Sequence, residues 1–173
     1  MKSMKLDLTK STYYTQEEYN EYIYGSADVV GLMCLQVFVN GDKTKYDLLK
    51  NAAMRLGSAF QKVNFLRDLK ADFEVLNRTY FPETDLNHLN EESKMKIIRE
   101  IEDDFKAGYE GIMKLPMEAK FGVYTAYVYY GKLLTRLSKT PSEEIKNTRI
   151  RVKDYEKFGL FAKCYFSYKL NFI

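Results

Sequence analysis

The chain has 173 residues, 46% of them hydrophobic and 29% charged, which is enough apolar material for one domain with a real core. A net charge of +3 is too small to argue for nucleic acid, and Cys34 and Cys164, far apart and without a CxxC partner, indicate neither a zinc site nor a disulfide framework. The opening Met1-Lys2-Ser3-Met4-Lys5 has no apolar run behind it and no stretch approaches the roughly 20 apolar residues of a membrane span, so a cytoplasmic, soluble helical protein is expected.

In chain order, Thr15 and Glu18 have the spacing of a capping box and predict a helix running through Tyr22 towards Phe38. Asn40-Gly41-Asp42 reads as a turn. A long helix is predicted over residues 45–74, with Gly57 its only interior breaker, followed by a loop over 77–90. Further helices are predicted from Glu91 to about Lys114, from Met117 to Leu137, and from Ser142 to about Lys169, with the prolines at 82, 116 and 141 as punctuation. His88 reads as a surface loop residue and the charge run over 91–110 as a solvated helix face. With no repeat and no second domain boundary, residues 1–173 form one all-α bundle built around a cavity.

The long helix carries the chemistry. Gln61, Asn64, Asp68 and Asp72 follow one another at spacings of three and four, so they form one polar stripe spanning an arc of about 80°. Ala53, Phe60 and Ala71 border it on one side, and Met54 and Phe65 on the other. Two carboxylates and two amides between apolar side chains describe a pocket wall, where unpaired charges are costly and a cation is expected to neutralise them. Oxygen ligands at this spacing suit a magnesium ion, or manganese, that also holds substrate phosphate oxygens.

Around this stripe, Asn64 to Asp72 (NFLRDLKAD) and Asn77 to Pro82 (NRTYFP) resemble the second aspartate-rich motif of the squalene and phytoene synthase family. Tyr22 to Gly31 (YIYGSADVVG) is similar to that family's other signature, departing from it at Ile23 and Asp28, where small residues are usual. The likeness continues through Tyr130-Gly131-Lys132-Leu133-Leu134 and Arg149-Ile150-Arg151-Val152. The family's first D-x-x-x-D motif has no counterpart here. The adjacent pairs Glu91-Glu92 and Asp103-Asp104 point to different helix faces, so the chain is read as the C-terminal portion of an isoprenoid synthase-type bundle.

The resemblance implies roles. Asp68 and Asp72 would be the metal ligands, with Gln61 and Asn64 supporting the same pocket. Arg67, Arg78 and Arg149 would grip diphosphate, where a guanidinium fork fits phosphate oxygens. Tyr80 and Tyr130 would act at the reacting centre, a phenol orienting the leaving group and a ring face stabilising a carbocation. Ala27 and Gly31 would leave room for an isoprenoid tail, although small residues also permit close helix packing. Arg67 lies within the apolar arc of Leu56, Phe60 and Val63, so pairing with a carboxylate of a neighbouring helix stays open beside diphosphate binding. Asp28 faces either the diphosphate end or another helix.

The implied activity is the head-to-head joining of two geranylgeranyl diphosphates to phytoene. The alternatives are squalene or dehydrosqualene synthesis from farnesyl diphosphate, or a non-catalytic helical assembly module that retains the fold. With one aspartate motif, the chain alone is expected to form no detectable product. The last segment mixes Arg149, Arg151, Lys153, Lys157, Lys163 and Lys169 with Phe158, Phe161, Tyr165, Phe166 and Phe172. It reads as a helix docked on the bundle, and its composition also suits a peripheral membrane surface.

Overall fold

The computed structural model describes residues 10–76, 78–82, 84, 87–170 and 172. The described residues form helices and connecting segments without a strand, apart from one isolated bridge between Thr12 and Thr79. That bridge pins the beginning of the chain to the residues following the motif helix, with Tyr13 N donating to Thr79 O at 3.1 Å.

Helix α1 spans Gln16–Ile23 and is capped by Thr15, whose hydroxyl accepts from Glu18 N at 3.2 Å. The reciprocal half of the box is displaced by one residue, because Glu18 Oε2 accepts from Tyr14 N at 2.9 Å rather than from the cap itself. A wider π-type turn over Tyr24–Asp28 continues directly into α2, Val29–Phe38, so the predicted helix to Phe38 is one path with a local expansion. It ends at Asn40 and Gly41, whose φ values of 50° and 76° are left-handed; Gly41 N then reaches back to Gln36 O at 3.1 Å.

Asp42 opens α3, Lys43–Leu76, by accepting from Lys45 N at 3.0 Å. At 34 residues this helix is about 51 Å long and is the spine of the bundle. The π-type turn and α2 lock onto it reciprocally. A Cβ on Gly31 would stand 2.7 Å from Ala53 O, and a Cβ on Gly57 2.8 Å from Ala27 O, so the two backbones approach as only glycine permits.

Helix α4, Glu91–Ile112, begins with a complete capping box between Asn90 and Ser93. Ile97, Ile98, Ile101 and Phe105 bury its inner face in the main core with Val63 and Leu66 of α3. Most of its charges are solvated as expected, but Lys94 and Asp104 are buried, which corrects the reading of 91–110 as a purely solvated face. Lys94 Nζ donates to Ser138 O at 3.3 Å and Thr140 O at 2.7 Å, satisfying carbonyls at the end of α5, Met117–Lys139.

The last predicted helix is two. Ser142–Ile145 forms the single turn α6, and Asp154–Lys169 forms α7, with an intervening stretch that is not helical. The alternation of β-branched Thr148, Ile150 and Val152 favours extended backbone there. Val152 is buried, and Arg136 holds the stretch from α5 by donating to Arg151 O and to Glu156, each at 2.5 Å. Helix α7 docks on α5 through Leu160 and the buried Cys164. No helix of the described residues is long and apolar enough to cross a membrane.

Candidate active site

The stripe on α3 is held as its spacing requires, and the arginines converge on it. Asp68 accepts from Arg67 Nε at 3.0 Å and Nη2 at 2.5 Å and from Arg149 Nη2 at 3.3 Å, while Arg149 Nε stands in an ion pair 2.6 Å from Oδ1. Arg149 arrives from the extended stretch, so the break between α6 and α7 is what brings it to α3. Among the described residues, Arg67 pairs with its own chain neighbour and not with a carboxylate of another helix. The hydrogen bond to Asp68 keeps its guanidinium pKa above the ordinary value.

Asp72, one turn beyond Asp68, differs from it. Its carboxylate makes no hydrogen bond or ion pair among the described residues, and its pKa is pushed up to about 6. Burial is the main cause and the charge of Asp68 the second, with Arg78, Arg149 and Arg67 opposing both. Arg78 lies beside it, its backbone N–H donating to Asp72 O at 2.8 Å. A half-buried carboxylate left without a partner among arginines is a group poised to meet a cation or a proton.

The two amides sit below. Asn64 Oδ1 is buried with no hydrogen-bond partner among the described residues, and Gln61 enters the wall of a cavity of about 570 Å³. That cavity lies between α2, α3, α4 and α5, and Ala27, Gly31, Leu56, Phe60, Ile112 and Leu115 give it an apolar lining. Ala27 and Gly31 border the cavity and also fulfil the packing alternative, through the close approaches of Ala27 O to Gly57 and of Gly31 to Ala53 O.

The two tyrosines are placed differently from one another. Tyr80 is buried, its ring 3.8 Å from that of Phe65 and nearly parallel at 6°, with Tyr22 and Tyr13 also stacked against it. The ring face assigned to carbocation stabilisation is therefore covered by Phe65, and what Tyr80 offers the site is its hydroxyl, 3.5 Å from Arg78 Nη1. Tyr130 stacks on Phe60 at 4.3 Å and lines a second cavity of about 660 Å³ with Tyr129, Phe158 and Phe161.

Asp28 is resolved in favour of the helix contact. Its Oδ1 accepts from Ser58 Oγ of α3 at 2.7 Å, and burial raises its pKa against that hydrogen bond. Nearby lies a network the sequence reading missed. Lys62 Nζ, itself buried, pairs with the fully buried Asp104 at 2.8 Å and with Glu100, while Arg55 Nε stands 2.8 Å from Asp104 Oδ1. The signal was available: Lys94 and Asp104 fall on the period of Ile97, Ile101 and Gly108, the buried face of α4.

Among the described residues, no group of three or more His, Cys, Asp or Glu is placed to hold a metal ion by itself. Asp68 and Asp72, one turn apart and the second without a partner among the described residues, are hard oxygen donors of the kind that a divalent cation accepts beside water and phosphate oxygens.

The bundle that carries these paired carboxylates, arginines and apolar cavity has the all-α isoprenoid synthase fold. The squalene synthase HpnC from Alicyclobacillus acidocaldarius has this fold, superposing with a TM-score of 0.67 at 20% identity over 81% of this chain and 58% of that one. The family description squalene/phytoene synthase matches residues 1–156, and the chain belongs to that family. Among curated relatives, it is 29% identical over 154 residues to phytoene synthase 1, chloroplastic, of Solanum lycopersicum, covering 79% of this chain and 37% of that protein. It is 30% identical over 154 residues to the 15-cis-phytoene synthase of Synechocystis sp., covering 75% of this chain and 45% of that protein. The chain thus spans less than half the length of either relative.

Proposed function

We propose that the chain forms the diphosphate-handling wall of a prenyltransferase that joins two geranylgeranyl diphosphates head to head to give phytoene, a reaction of carotenoid biosynthesis. The observation that carries this reading is Asp72: a half-buried carboxylate without a hydrogen-bond partner among the described residues, in the field of Arg67, Arg78 and Arg149, on a stripe that descends through Asn64 to Gln61 in the wall of an apolar cavity. The likeness to phytoene synthases supports the choice of product.

Asp68 and Asp72 would hold magnesium, which supplies electrophilic stabilisation of the departing diphosphate when bound. The residues of the chain do the rest. Arg149 and Arg67, already oriented by Asp68, turn their remaining N–H donors to phosphate oxygens, and Arg78 with the Tyr80 hydroxyl extends that row. The isoprenoid tail enters past Gln61 into the cavity, whose apolar walls keep water from the allylic cation. Phe60 lines the first cavity and Tyr130 the second, so the side that each ring turns away from their mutual stack is suited to positive charge.

Binding is the direct test, because the chain carries one D-x-x-x-D motif and the family resemblance assigns catalysis to two. Titration calorimetry with geranylgeranyl diphosphate and magnesium should show binding that Asp72→Asn weakens by at least about tenfold. Tighter binding of farnesyl than of geranylgeranyl diphosphate would favour the squalene-type alternative, and binding of neither would favour a non-catalytic module.

The outward face of α7 supports a second element of the proposal. Tyr155 and Phe166 are exposed on the side opposite the docked Cys164, with Lys163 and Lys169 on the same helix. Rings and cations in this arrangement suit the surface of an anionic membrane, where an insoluble hydrocarbon product would be delivered.

A further inference from the structure

The glycines that wall the cavities fall into two groups. Gly31, Gly57, Gly108 and Gly111 are explained by packing, since an added Cβ would stand 2.7 Å from Ala53 O, 2.8 Å from Ala27 O, 3.0 Å from Leu56 and 2.4 Å from the Ala52 Cβ. Gly122 has no such reason. It lies inside α5, its φ is not left-handed, and an added Cβ would meet nothing within 4 Å. Glycine within a helix is disfavoured by its backbone freedom, so the helix is weakened at this point with no gain in packing.

What Gly122 does border is open space on two sides. Together with Ala126, one turn further on, it belongs to the walls of both the 570 Å³ and the 660 Å³ cavities, and no other described residue does. Gln61, at the foot of the polar stripe, lines the first cavity, and Tyr130 and Phe158 line the second. The two cavities therefore meet at this pair, which lies between the one that Gln61 lines and the one that Tyr130 lines.

We infer that Gly122 is the open saddle joining the two cavities, and so determines the length of prenyl chain this protein accommodates. The inference rests on the prenyl diphosphate reading above and adds the residue that sets its length limit. Ala126 keeps the saddle low on the next turn, whereas a branched side chain at 122 would stand in the passage itself.

The test uses the whole chain with Gly122→Ala and Gly122→Leu, titrated calorimetrically with geranyl and geranylgeranyl diphosphate in the presence of magnesium, beside circular dichroism and thermal unfolding. Gly122→Ala should keep the helical spectrum and raise Tm by about 2–4 °C. Gly122→Leu should weaken the long ligand by about tenfold or more while leaving the short one within about twofold. Equal affinity of the Leu variant and the unsubstituted chain for both ligands would make Gly122 an idle surface glycine and overturn the inference. So would equal weakening of both, which would place the loss elsewhere than at the saddle. Failure of the unsubstituted chain to bind either ligand would contradict the prenyl reading itself, and this inference with it.

Discussion

Asp68 and Arg149 lie 81 residues apart and pair through two contacts, Nε to Oδ1 at 2.6 Å and Nη2 to Oδ2 at 3.3 Å, tying the motif helix to the extended stretch between α6 and α7. Arg149 is itself half exposed, so the pair contributes no more than about 1 kcal/mol to stability. Its value is positional: it sets a guanidinium beside the carboxylates.

Arg149→Lys should therefore leave the unfolding midpoint within about 1 kcal/mol of the parent while weakening prenyl diphosphate binding by about tenfold, because a lysine cannot reproduce the fork. Urea unfolding and calorimetry on the same preparation check both halves. Equal loss of stability and binding would make Arg149 a structural residue only.

Asp72 gives a pH signature of definite sign. Its folded pKa of about 6 lies above the model-peptide value of 3.8, so the folded state holds its proton more tightly than the unfolded one. The stabilisation is complete below the unfolded value and is lost as pH rises through about 6. Discounted for partial exposure, the loss is on the order of 1–2 kcal/mol. Asp72→Asn should remove this slope and raise Tm at pH 7 while reducing magnesium-dependent diphosphate binding. Thermal unfolding from pH 4 to 7 tests it; an unchanged slope in the variant would assign the titration to another group.

How much of this was legible depended on the range of each contact. The stripe from Gln61 to Asp72 follows from helical period alone, and so does the face of α4, had Lys94 and Asp104 been read by position rather than by charge. The Asp68–Arg149 pair was not legible as a contact, since it depends on the chain leaving helix after Ile145; the alternating Thr148, Ile150 and Val152 were the local sign of that. Tyr80 looked available because nothing near it in sequence shows that Tyr13, Tyr22 and Phe65 converge on its ring from three other segments.

The buried network predicts a stability effect away from the site. Asp104→Ala would leave the buried Lys62 without its buried carboxylate partner, at a cost of about 3 kcal/mol. Replacing Lys62 and Asp104 together by Met and Leu should cost less than the single change. Urea unfolding of the three variants checks this, and a loss below about 1 kcal/mol for Asp104→Ala would show that Arg55 and Glu100 rearrange to compensate.

Gly57→Ala should destabilise despite the gain in helix propensity, since its Cβ would stand 2.8 Å from Ala27 O and force the π-type turn away from α3. A loss of about 1–3 kcal/mol in urea unfolding is expected. A neutral or stabilising change would mean that the close approach is not retained in solution.

The most direct measurement is the titration of geranylgeranyl diphosphate, with and without magnesium, into the 173-residue chain and its Asp68→Asn and Asp72→Asn variants. The proposed function predicts saturable binding that magnesium strengthens and that each variant weakens by about tenfold or more. Binding that is absent from the unsubstituted chain, or indifferent to both aspartates and to magnesium, would contradict it.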